Sequence, residues 1–168
     1  ASLTNATVLL LTILMFIGAS PGSTGGGIKT SSFALLLLMI GNRMRGRDGV
    51  TIFNRSVPAE ILGRTIAIVL ASAVSVLVIV SLLLLAAGPP GQHVQASRHL
   101  FVEYLFEAVS AFGTVGLSMN VTPGLNDIQK LAITLLMFVG RVGPLTLAFA
   151  WSASKRGLVY AEEAVMVG

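Results

Sequence analysis

The sequence has 168 residues, of which 54% are hydrophobic and 11% charged, with a formal net charge of +4. A soluble domain carries roughly 25% charged residues. Together with a mean hydropathy of +0.87, this excludes a disordered tail and points to an integral membrane protein. There is no cysteine, which excludes disulfides and thiolate metal sites, and two histidines leave little for a His-based centre. No basic segment precedes the first apolar run, so that run is not a signal peptide. With Ala1 rather than Met in first place, the sequence is expected to be a piece of something longer.

The first apolar stretch covers residues 8–19 and the second covers 33–40, separated by Ser20-Pro21-Gly22-Ser23-Thr24-Gly25-Gly26-Gly27. One helix over 8–40 would be about 50 Å long, against a hydrocarbon core of about 30 Å. A proline and three consecutive glycines do not hold a helix. The pattern therefore predicts two half-helices flanking an irregular loop. Five arginines follow within 22 positions: Arg43, Arg45, Arg47, Arg55 and Arg64, opposed only by Asp48 and Glu60. Residues 66–87 form the clearest transmembrane helix. Its 14 Leu, Ile and Val residues favour insertion by roughly 4–8 kcal/mol. Gly88-Pro89-Pro90-Gly91 ends it. Residues 100–112 are apolar and aromatic but too short to span, which suits a re-entrant helix. Residues 131–151 are long enough to span again, and Lys155-Arg156 follows. The positive-inside rule places 43–64 and 155–168 in the cytoplasm. Irregular backbone survives at membrane depth only where protein buries it or it lines water, so two such loops in one chain indicate a pathway.

Phe112-Gly113-Thr114-Val115-Gly116-Leu117-Ser118 follows the short helix. Potassium channels line their filter with carbonyls of Thr-Val-Gly-Tyr-Gly loops, and Thr114-Val115-Gly116 reproduces the first three positions. Thr114, Val115, Gly116, Leu117 and Ser118 are the candidate filter, with K+ held at Thr114, Val115 and Gly116. Leu117 and Ser118 depart from the channel pattern. Arg141 is the eleventh of the 21 residues in 131–151, and such a central arginine costs about 2.5–3.5 kcal/mol on insertion. Its five donors suit the freed carbonyls of the Gly-rich loop. The candidate gate is therefore Gly22, Ser23, Thr24, Gly25, Gly26, Gly27 and Lys29, with Arg141 bonded to the loop below the filter.

Residues 22–30 also resemble a nucleotide-binding P-loop, but Ile28 intervenes before Lys29 and no βαβ pattern follows. Lys29 either faces the cytoplasmic vestibule or snorkels. Glu103 and Glu107 share one helix face. They either concentrate cations at an outer mouth or form a solvated face, which is the commoner arrangement.

The stretch Met15-Phe16-Ile17-Gly18-Ala19-Ser20-Pro21-Gly22-Ser23-Thr24-Gly25-Gly26-Gly27-Ile28-Lys29 resembles the intramembrane gate loop of the Trk/Ktr/HKT potassium transporters. Thr114-Val115-Gly116-Leu117-Ser118 resembles the filter of their fourth repeat, and Gly140-Arg141-Val142-Gly143-Pro144-Leu145-Thr146 the arginine-bearing inner helix of that repeat. The tail from Tyr160 to Gly168 is similar to the end of Ktr-type membrane subunits.

This resemblance implies an all-α integral membrane fold of helix–pore loop–helix repeats. Residues 1–47 would be the inner helix of the third repeat, broken by the gate loop at about 18–30, and 48–65 a cytoplasmic linker. Residues 66–154 would be the complete fourth repeat: span 66–87, pore helix 100–112, filter 113–119, span 131–151. Residues 155–168 would be a cytoplasmic tail. The resemblance further implies a potassium uptake subunit of the plasma membrane, not an enzyme, passive or sodium-linked. By the same resemblance it would bind no cofactor of its own, only the transported K+, with Na+ as co-ion. Its partners would be lipid, the N-terminal repeats of the same protein, a second copy in a homodimer, and a cytosolic RCK (KtrA-like) ring that binds the regulatory nucleotide; nucleic acid is not among them. A non-conducting membrane scaffold and a membrane-anchored nucleotide-binding protein are the alternatives.

Overall fold

The computed structural model describes residues 4–46, 50–52, 55–87 and 94–143. Helix α1 (Asn5–Phe16) and helix α2 (Thr30–Met44) flank the Gly-rich segment. Thr51–Ile52 and Arg55–Ser56 pair as a minimal antiparallel hairpin, β1 and β2. Helix α3 (Ala59–Ala86), helix α4 (Val94–Gly113) and helix α5 (Asp127–Val142) follow, with a 3₁₀ turn at Thr122–Gly124 before α5. The regular structure among the described residues is helical apart from this hairpin.

Among the described residues, α3 is the helix long and apolar enough to cross a membrane. Its 28 residues measure about 42 Å, longer than a bilayer core. The excess is the charged N-terminal end, where Arg64 and Glu60 pair at i,i+4. The expected linker 48–65 is thus shortened, because Pro58 precedes a helix that already starts at Ala59. The helix carries its polar groups without leaving them unpaired. Thr65, Ser72, Ser75 and Ser81 each donate a hydroxyl to the carbonyl four residues back, at 2.7–2.9 Å. Such back-bonding satisfies a hydroxyl where no water is available.

Helix α4 is the centre of the bundle. Tyr104, Phe106, Ala108, Val109, Ala111 and Phe112 are buried among Val8 and Met15 of α1, Val76, Val80 and Leu83 of α3, and Ile133 and Leu136 of α5. The sequence predicts this helix over 100–112; it extends back to Val94. Outward faces remain apolar: Leu10 and Ile13 of α1, Leu70 and Leu77 of α3, and Leu131 and Phe138 of α5 are at least half exposed. Apolar faces of this extent suit lipid or further protein, not water.

Helix α5 starts on a capping box. The Asn126 side chain accepts from the Gln129 N–H, and Gln129 Oε1 accepts the Asn126 N–H, both at 2.9 Å. The same Gln129 donates through Nε2 to the Leu83 carbonyl at 2.8 Å, a buried bond. Leu83 lies in the last turn of α3, whose carbonyls lack helical partners, so one side chain caps two helices. Gln129→Leu is expected to lower stability by about 1–3 kcal/mol, the cost of an orphaned buried carbonyl plus a lost cap. Thermal unfolding of the full-length protein in detergent measures this.

The sequence predicts a span over 131–151, but α5 ends at Val142, where Gly143 turns at φ +89°. Pro144 cannot continue the helical hydrogen bonding, and a residue before proline is steered out of the α region. Arg141 accordingly sits in the last turn of the described helix rather than at its middle. Residues 144–151 and the expected tail 155–168 lie outside the described residues.

Candidate ion-conduction site

Three backbone segments converge at the end of α4. Residues 17–29 form a loop closed at its neck: the Gly18 N–H donates to the Ile28 carbonyl at 2.7 Å and the Ile28 N–H to the Phe16 carbonyl at 3.2 Å. Within the loop, Gly22 and Gly27 have positive φ. The Gly26 N–H donates to Thr114 Oγ1 at 2.8 Å, and the Gly27 N–H to the Phe112 carbonyl at 3.1 Å. The break in the first helix is thus compensated: its freed donors are taken up by the neighbouring helix end. Phe16 and Phe112 pack with ring centroids 5.9 Å apart and fix the same junction.

The contact is close because the facing residues lack side chains. A Cβ on Gly26 would lie 2.7 Å from the Phe112 carbonyl oxygen, and one on Gly140 would lie 1.9 Å from it. Helix α5 and the loop therefore press against the same carbonyl from two sides.

The candidate filter leaves α4 directly. Thr114 turns left-handed at φ 53°, and its N–H donates to the Ala111 carbonyl at 3.1 Å; the Val115 N–H donates to the Ser110 carbonyl at 3.0 Å. Gly116 has φ 83°, a conformation that suits glycine. Val115, Gly116, Leu117 and Ser118 are exposed. Among the described residues, the carbonyls of 114–118 accept no hydrogen bond from the chain. A row of unengaged carbonyls after the negative end of a buried helix can replace the water shell of a weakly hydrated cation.

The predicted gate residues divide into two groups. Gly22, Ser23 and Thr24 form the exposed tip, whereas Gly25, Gly26 and Gly27 are partly or fully buried. The Lys29 ammonium folds back to the carbonyls of Gly25 at 2.7 Å and Ser23 at 3.3 Å. Those are carbonyls that the sequence offers to Arg141. Arg141 is exposed and, among the described residues, forms no hydrogen bond to the loop; its neighbour Gly140 lies against the Phe112 carbonyl at the end of α4. A phosphate cradle needs free amide donors, and those of Gly26, Gly27 and Ile28 are engaged within the chain.

Glu107 departs from the expected solvated face. It is buried at 5% exposure, and its Oε1 accepts from Ser118 Oγ, Thr122 Oγ1 and the Thr122 N–H. Glu103 is half-buried. His93 lies outside the described residues, and no group of three metal-ligating side chains occurs among the described ones.

Apolar outer faces around an irregular, internally hydrogen-bonded loop are a membrane-protein arrangement. The chain belongs to the TrkH family of cation transport proteins, whose model matches residues 1–156. It is 36% identical over its full length to Ktr system potassium uptake protein D of Bacillus subtilis. It is 33% identical, over 99% of its length, to Ktr system potassium uptake protein B of the same organism. Over 99% of its length it is 36% identical to the potassium/sodium uptake protein NtpJ of Enterococcus hirae. The chain spans 36% of the length of each of these relatives.

Proposed function

We propose that this chain supplies one quarter of a potassium-selective filter, together with the loop that gates it, within a longer potassium uptake subunit. The observation that carries the proposal is the run of unengaged carbonyls at Thr114 to Ser118, hydrogen-bonded at its base to the Gly-rich loop. Helix α3, helix α4 with the filter, and helix α5 form one helix–pore loop–helix repeat, and α1, the loop and α2 are the broken inner helix of the repeat before it. K+ binds at the carbonyls of Thr114, Val115 and Gly116, and no bond of the substrate is made or broken. The loop stands across the path and moves to open it, and Lys29 staples it shut through two of its carbonyls. Arg141, one residue from the contact at Gly140, adds a fixed positive charge that disfavours cations while the loop is closed. The names of the relatives support potassium as the substrate, with sodium as a possible co-ion class. The word system in the names of the Ktr relatives supports a multi-component assembly. In our reading a second copy and a cytosolic nucleotide-binding ring complete that assembly, and 43–64 and 155–168 lie on the cytoplasmic side.

The test is thermal unfolding of the full-length protein in detergent with K+, Na+, choline or ATP. A ligand at 100 times its dissociation constant stabilises by about 2.7 kcal/mol. K+ is expected to raise the midpoint well above choline, and ATP to leave it unchanged. Equal midpoints in K+, Na+ and choline would overturn the filter and favour a scaffold; a shift with ATP alone would favour nucleotide binding.

A further inference from the structure

A carboxylate buried in a membrane bundle is costly unless it is hydrogen-bonded, and where one is retained it is commonly functional. Glu107 lies two helical turns before Thr114, on the α4 face that also carries Ser110 and Ala111. Its Oε1 gathers three donors from the far end of the loop: Ser118 Oγ at 2.5 Å, Thr122 Oγ1 at 2.6 Å and the Thr122 N–H at 3.2 Å. Ser118 Oγ in turn accepts the Asn120 N–H at 2.9 Å, and Asn120 is left-handed at φ 66°. Residues 118–122 are thus folded around one oxygen atom.

Met119 and Val121 pack against the core, but residues 116–118 before them have no such support. Gly116, Leu117 and Ser118 line a cavity of about 340 Å³ whose far wall is Ile133 and Met137 of α5. Packing does not press the middle of the loop against that helix, so its position is set at its two ends. At the base, the Thr114 and Val115 N–H groups bond to the last turn of α4, and Thr114 Oγ1 accepts from Gly26. At the exit, Glu107 is the hydrogen-bonding anchor, beside the packing of Met119 and Val121.

We propose that Glu107 is a positioning residue for ion selectivity: by holding Ser118 and Thr122 it sets the spacing of the carbonyls between them and Thr114. It rests on the filter reading above. Carbonyl spacing is what distinguishes cations of different size or hydration, so loss of the anchor affects discrimination before it affects stability.

The experiment is rubidium uptake by proteoliposomes holding the full-length protein, with K+ or Na+ as competitor. The readout is the ratio of the two competitor strengths. Glu107→Ala is expected to lower the ratio about tenfold and Thr122→Val, outside the filter itself, about threefold, in line with the loss of one or more charge-assisted hydrogen bonds. Glu107→Gln keeps an acceptor oxygen at that position and is expected to stay within about twofold of the parent. An unchanged ratio in Thr122→Val, or in a folded Glu107→Ala protein, overturns the proposal; Thr122→Val decides alone if Glu107→Ala does not fold. Gly116→Ser serves as the reference. If it shifts the ratio while the Glu107 and Thr122 variants do not, the anchor fails and the filter stands. If none of them shifts it, the filter reading itself fails.

Discussion

Replacing Gly140 with alanine is expected to abolish uptake and to destabilise the protein by about 3 kcal/mol, the upper end of the cost of overpacking. The added Cβ would lie 1.9 Å from the Phe112 carbonyl oxygen and 2.7 Å from its carbon. These are backbone atoms at the last turn of α4 and cannot rotate away. Relief requires α5 to move off α4, and that carbonyl also accepts the Gly27 N–H at 3.1 Å. One methyl group therefore disturbs the helix end, the loop and the base of the candidate filter together. Gly63→Ala is the control. It is also a helical glycine, but nothing lies within 4 Å of its Cβ, so it should be neutral or stabilise by up to about 1 kcal/mol. Thermal unfolding and uptake of the two full-length variants, compared with the parent, check both halves of this expectation.

Gly116→Ser acts by a different route. No atom lies within 4 Å of a Cβ at 116, so there is no clash; the obstacle is φ 83°. A side chain held in that region costs about 1–2 kcal/mol. The exposed loop, backed by a cavity, relaxes more readily than it tolerates that strain. Relaxation turns the peptide planes on either side of 116, and with them the carbonyls of Val115 and Gly116. The expected result is a folded protein with at least about tenfold less discrimination between K+ and Na+, one filter position being worth on the order of a hydrogen bond.

Much of this arrangement is legible in residue types. Pro21 and the glycines at 25–27 mark the break between α1 and α2, and the Leu, Ile and Val run of 66–87 marks α3. Gly143-Pro144 carries a helix stop as well as a sign of close approach, and the stop is what ends α5 at Val142. Other features depend on contacts between distant segments. The i,i+4 spacing of Glu103 and Glu107 is the same for a solvated face and for a buried acceptor. Only the return of residues 118–122 over α4 separates the two. The loop carbonyls expected to meet Arg141 are met by Lys29 instead, which lies only four residues from Gly25 in sequence. The polar stretch before Leu100 hides the start of α4 at Val94, because its helix is not amphipathic enough to announce itself.

Rubidium uptake by proteoliposomes containing the full-length protein, parent against Gly116→Ser, tests the central claim that residues 114–118 are a filter. In the parent, excess K+ should suppress uptake far more than excess Na+; in Gly116→Ser the two should suppress it nearly alike. Undiminished preference for K+ in the variant would contradict the claim. So would a parent that takes up no rubidium even with the proposed cytosolic partner and nucleotide supplied.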